Sequence, residues 1–126
     1  MRELIKQVLK EQVETLYGYH VTSKRNLKSI KKNGLEPRVP EDYGTSGDIA
    51  GVYIFKTYED MENALYNWLG ERIEEIEEES GEEYKEVALK INLTGMEQYL
   101  IDSVDYEWTC VEKIEPDRII EIIKLH

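Results

Sequence analysis

Cysteine, histidine, basic charge and long apolar runs are all scarce in this chain, and each scarcity closes off a class of protein. A single cysteine, Cys110, excludes an internal disulfide and a cysteine-based zinc site, and its apolar alternating surroundings predict a buried structural thiol. Two histidines, His20 and His126, are too few for a histidine-rich metal centre, so no metal is expected. No apolar run approaches the length of a membrane span, and charges interrupt the apolar positions of residues 1–15. Neither a transmembrane helix nor a signal peptide is therefore expected, and a cytoplasmic location follows. The 16 Lys and Arg stand against 27 Asp and Glu, a net charge of −11, which argues against tight binding to bulk nucleic acid and leaves room for a partner with a basic surface. The P-loop, GxGxxG, GxSxG, HExxH and paired CxxC signatures are all missing, which leaves most common enzyme classes without support.

What remains is a chain of 126 residues, enough for one domain with one core. Leu4, Ile5, Val8, Leu9 and Val13 fall at helical spacing and predict an amphipathic helix over residues 1–15. The densest local signal comes next, in YGYHVTSKRNLKSIKKNG from Tyr17 to Gly34. A short aromatic strand over 16–21 ends near His20, and Thr22 or Ser23 caps a basic helix that runs to about Asn33 and stops at Gly34. Gly18 within the strand predicts a close backbone approach. A strand handing straight to a helix N-terminus gathers backbone N–H groups at one point, which predicts an anion pocket beside His20.

Residues 36–50 carry two prolines, two glycines and little periodicity, so they read as a long loop, either a lid over a ligand or a plain surface excursion. GVYIF over 51–55 is a compact strand. Thr57, with Asp60 three residues on, caps a helix whose apolar face is Met61, Ala64, Leu65, Trp68 and Leu69, and which continues through the glutamate run to Gly81. That run reads as a solvated face rather than a cation site. Residues 84–93 alternate as a half-buried strand, 96–101 fit either a short helix or a strand, and 106–111 and 118–125 predict two more strands separated by Pro116. With helices early and strands late, the fold class is α+β in a single domain.

Three residues distributed over three strands stand out: His20 ending the first, Tyr53 within the second and Glu107 on a late one. In this order, and with YHVTSKRNLKSIKKNGL, GVYIF followed by TYEDMENAL, and EWTCVEKIEPDRIIEI around them, they resemble the His-Tyr-Glu branch of the ADP-ribosyltransferase superfamily. The opening motif is similar to that of DarT-type toxins and small phage and bacterial members. The resemblance covers residues 16–126, with 1–15 as an added helix on a split β-sheet core flanked by helices.

The resemblance implies an NAD-dependent mono-ADP-ribosyltransferase that moves ADP-ribose to a host macromolecule, as a toxin or phage effector acting in the host cytoplasm does, and releases nicotinamide. NAD is then the substrate and cofactor, and the acceptor, protein or nucleic acid, is not named. His20 would bond the ribose hydroxyls, Thr22 and Asn26 would help hold the nicotinamide and adenosine portions, and Tyr53 would stack on the nicotinamide. Glu107 would face the ribose cation. Arg38, by its charge and its place in the loop after the helix, is a candidate phosphate contact. Preorganised negative charge beside a developing sugar cation lowers the barrier to breaking its glycosidic bond. Val21 replaces the glycine that follows the histidine in many members, and Asp105 stands two residues before Glu107 where arginine-modifying relatives carry Glu or Gln. Asp102, Asp105 and Glu112 compete with Glu107 for its role. The alternative is a catalytically inactive acidic inhibitor or interaction protein of the same fold that binds a basic partner.

Overall fold

The computed structural model describes residues 15–38 and 50–125. Residues 1–14 of the amphipathic helix expected over 1–15, and residues 39–49 of the 36–50 loop, lie outside the described residues. Six strands form one antiparallel sheet in the order β4-β5-β2-β1-β3-β6, where β1 is Tyr17–Ser23, β2 Val52–Phe55, β3 Glu86–Asn92, β4 Leu100–Val104, β5 Glu107–Cys110 and β6 Ile119–Lys124. Among the described residues three α-helices, α1 (Leu27–Asn33), α2 (Tyr58–Tyr66) and α3 (Trp68–Ser80), complete an α+β architecture. No helix among the described residues is long and apolar enough to cross a membrane.

Side-chain alternation divides the sheet into two packed faces. Ile54, Leu89, Ile91 and Cys110 cluster on one face with Ile30 of α1 and with Ile114. Val21, Phe55 and Ala88 cluster on the other with Met61 and Ala64 of α2 and Leu69 and Ile73 of α3. Packing on both sides explains one departure from the sequence expectation. Val87, Ala88 and Leu89 are all buried, so β3 is a central strand covered on both faces rather than a half-buried one. Strands also come from the whole chain: β1 and β2 sit in the middle of the sheet, and the later strands flank them.

Gly18 permits tight packing between β1 and β2, since a Cβ there would sit 2.3 Å from Ile54 Cγ2. Thr57 caps α2 as its sequence suggests, its Oγ1 accepting the Asp60 N–H at 3.0 Å. The helix does not run on unbroken, because Asn67 leaves helical geometry (φ −125°, ψ −117°) and separates α2 from α3. The turn there is tight enough that a Cβ on Gly70 would meet the Leu65 carbonyl oxygen at 2.1 Å. Gly81 ends α3 in the left-handed conformation. The glutamate run is mostly solvated, but Glu77 turns back to accept the Tyr84 N–H at 2.9 Å. Segment 96–101 resolves into a 3-10 turn, Glu97–Tyr99, leading into β4.

Candidate functional site

Polar groups concentrate where β1 and β2 part company. β1 pairs with β3 along its whole length, from Tyr17↔Asn92 to Ser23↔Glu86, whereas its pairing with β2 is registered at Tyr19↔Phe55. Past that point the gap is bridged by a side chain: His20 Nδ1 lies 2.8 Å from the Tyr53 carbonyl oxygen. A carbonyl only accepts, so Nδ1 carries the proton and donates, and in the neutral ring Nε2 keeps its lone pair. Burial lowers the His20 pKa, the bond to Tyr53 opposing it, so the ring is neutral at pH 7.

Beside His20 opens a cleft of about 290 Å³. His20, Thr22, Asn26, Arg38 and Tyr53 all line it, so the five residues expected from the sequence to meet the ligand share one concavity. Thr22 is buried, and its hydroxyl accepts a 3.0 Å bond from the Asn26 amide, which ties the end of β1 to the turn before α1. Arg38 reaches the cleft because its backbone exchanges two hydrogen bonds with Gly51, at 3.1 and 3.0 Å. That pair also holds together the two ends of the long loop.

The anion pocket expected at a helix N-terminus is not formed. β1 continues through Ser23, whose hydroxyl donates to the Tyr84 carbonyl instead of capping a helix, and the Lys24 N–H is already bonded to the Lys85 carbonyl. A 3-10 turn, Lys24–Asn26, then intervenes before the seven residues of α1. The cleft runs along the flank of that helix instead, where Ser29 and Asn33 join Asn26. These two were missed in the sequence, although the 26, 29, 33 spacing is a helical polar stripe that could have revealed them. Gly34 closes the helix with φ 76° and also lines the cleft.

Glu107 does not line this cleft. It opens β5 directly opposite Phe55, with Tyr53 opposite Thr109. Directly paired residues share a face, so alternation sets Glu107, Thr109, Phe55 and Tyr53 on the α2 and α3 side, while His20 falls on the side of Ile54. Tyr53 is thus the link, its carbonyl bound to His20 and its Cα a diagonal neighbour of Glu107, about 7–8 Å away in a regular sheet. Of the four carboxylates competing for the catalytic role, Glu107 is half-buried while Asp102, Asp105 and Glu112 are exposed, and Asp102 is paired with Lys56. Burial pushes the Glu107 carboxyl up to about 7. Cys110 is fully buried, with its thiol raised by burial, as a structural cysteine should be.

No protein-family model matches the chain, and no curated protein matches it.

Proposed function

We propose that the chain is an NAD-dependent mono-ADP-ribosyltransferase with a split ADP-ribosyltransferase-like sheet, transferring ADP-ribose to a macromolecular acceptor. The observation that carries the proposal is that His20, Thr22 and Asn26 border one cleft with Arg38 and Tyr53, which come from further along the chain, where β1 and β2 separate. The protonation pattern of His20 supports it: with Nδ1 donating to Tyr53, the neutral Nε2 accepts a hydrogen bond, which fits a ribose hydroxyl and not a phosphate oxygen. Arg38 supplies the positive charge that a diphosphate needs.

In the reaction the C1′–N bond of NAD breaks, its electron pair leaves with neutral nicotinamide, and the acceptor's nucleophile attacks C1′ while giving up its proton. The ionised Glu107 stabilises the ribosyl cation in passing. A ligand as long as NAD extends from the His20 side of β2 toward the Glu107 side, with Tyr53 between the two. Because burial raises Glu107 to about 7, its charged form grows in as pH rises through neutrality, and the rate follows.

The test is incubation of the protein with NAD labelled in its adenylate portion and a cell lysate, read by label transfer and by nicotinamide release. Transfer that disappears in Glu107→Gln and falls in His20→Ala supports the proposal. Neither transfer nor nicotinamide release from the wild-type protein would overturn it.

A further inference from the structure

On the other side of the sheet from the cleft, a groove of about 560 Å³ runs between α2, α3 and the neighbouring ends of β3 and β6. Leu65, Ile73 and Leu125 give it an apolar lining, and Tyr66, 84% exposed, stands at its edge. Its lining also carries five glutamates against two lysines, a local excess of three negative charges. Glu77 is engaged with the Tyr84 N–H. Glu62, Glu74, Glu83 and Glu86 make no ion pair among the described residues, although Arg25, Lys56, Arg72 and Lys113 are each paired elsewhere.

We propose that this groove docks a lysine- or arginine-bearing segment of a partner protein. A metal ion does not suit the groove, because no three His, Cys, Asp or Glu side chains among the described residues are grouped to hold one. The negative charge is spread along the groove, and a spread charge is matched by cations spaced along a chain. Lysine and arginine carry long apolar stems beneath their charged ends, so such a segment lays its stems on Leu65, Ile73 and Leu125 while its cations reach the glutamates. Tyr66 offers a ring face to one of those cations. A nucleic acid or acidic peptide is repelled by the same groups, and an uncharged apolar segment leaves them unanswered. The proposal is independent of the proposed transferase reaction, because His20, Tyr53 and Glu107 do not line the groove.

The experiment uses the full chain and a fluorescein-labelled peptide of about twelve residues with lysine and leucine at helical spacing, its binding followed by anisotropy; a counterpart with glutamate for lysine is the control. The wild-type protein is expected to bind the lysine peptide and not the control, and more weakly as salt rises from about 50 to about 300 mM. The double variant Glu74→Gln, Glu83→Gln and the single variant Tyr66→Ala are each expected to weaken binding by about fivefold or more. The triple variant Glu71→Gln, Glu78→Gln, Glu79→Gln, on exposed α3 positions outside the groove, is expected to leave it unchanged. Failure of the wild type to bind overturns the proposal. So does equal weakening by the triple variant, which would mean diffuse attraction to an acidic protein, or full binding by the groove variants.

Discussion

Two glycines with the same sign of φ should respond very differently to alanine, and the difference isolates one contact that shapes the cleft. Gly34 has φ 76° and ψ −160°, and a Cβ there would sit 2.1 Å from the Ile114 carbonyl oxygen. That oxygen accepts the Leu35 N–H at 2.8 Å, and the Leu35 carbonyl accepts the Ile114 N–H at 2.9 Å. Gly34→Ala therefore incurs backbone strain of about 2 kcal/mol in a conformation nearly confined to glycine. It must also displace a buried segment, at about 1 kcal/mol for each of the two hydrogen bonds it disturbs. The total is about 4 kcal/mol, a large part of the roughly 5–15 kcal/mol that holds a domain folded. Gly81 has φ 73° and ψ 10°, and a Cβ there has no neighbour within 4 Å, so Gly81→Ala bears only the left-handed penalty of about 1 kcal/mol. Urea unfolding followed by circular dichroism gives both values, with the m-value checked for constancy. A gap of about 3 kcal/mol between the variants is expected, from the strain and bond terms above. Equal costs would refute the reasoning, because the Leu35–Ile114 bridge could not then lie against Gly34.

Three further outcomes are expected. Glu107 titrates higher in the folded protein than in the unfolded chain, so the stability its neutral form contributes is full below about pH 4 and is lost as pH rises through about 7. Glu107→Gln should match the wild type at low pH and exceed it at pH 8 by about 1–2 kcal/mol, discounted for partial solvent screening; identical urea midpoints at pH 8 would contradict the burial argument. His20 is lowered, so its contribution is present above about pH 6.5 and is lost as pH falls through its folded value, and His20→Asn should flatten that acid limb of stability measured by the same unfolding. Thr57→Ala should cost about 1 kcal/mol and Thr57→Ser almost nothing, since the capping oxygen on Asp60 N–H is all that distinguishes them; thermal melts would detect the loss.

Local signals were legible where one residue's chemistry decides the local geometry. Thr57 with Asp60, Gly34 and Gly81 mark helix ends because a hydroxyl cap and a left-handed glycine act within one turn of chain. Gly18 was legible as a close approach, though not what approaches it, since Ile54 and Leu93 arrive from far along the chain. The single long helix after Thr57 failed at Asn67, where the apolar periodicity continues across a break in the backbone. The anion pocket failed because Ser23 stays in register with Glu86 on β3, and a strand partner from 63 residues away outweighs local capping.

By itself, the sequence determined the types of most elements, the absence of an internal disulfide, and a set of polar residues, His20, Thr22, Asn26, Arg38 and Tyr53, that border one cleft. Tertiary structure alone decided the strand order and the parting of β1 from β2, since both depend on pairings between distant segments. It also decided on which face of the sheet each candidate stands. A shift of one residue in register sends a side chain to the opposite face, so the separation of Glu107 from His20 on either side of Tyr53 could be read only once β5 was aligned with β2.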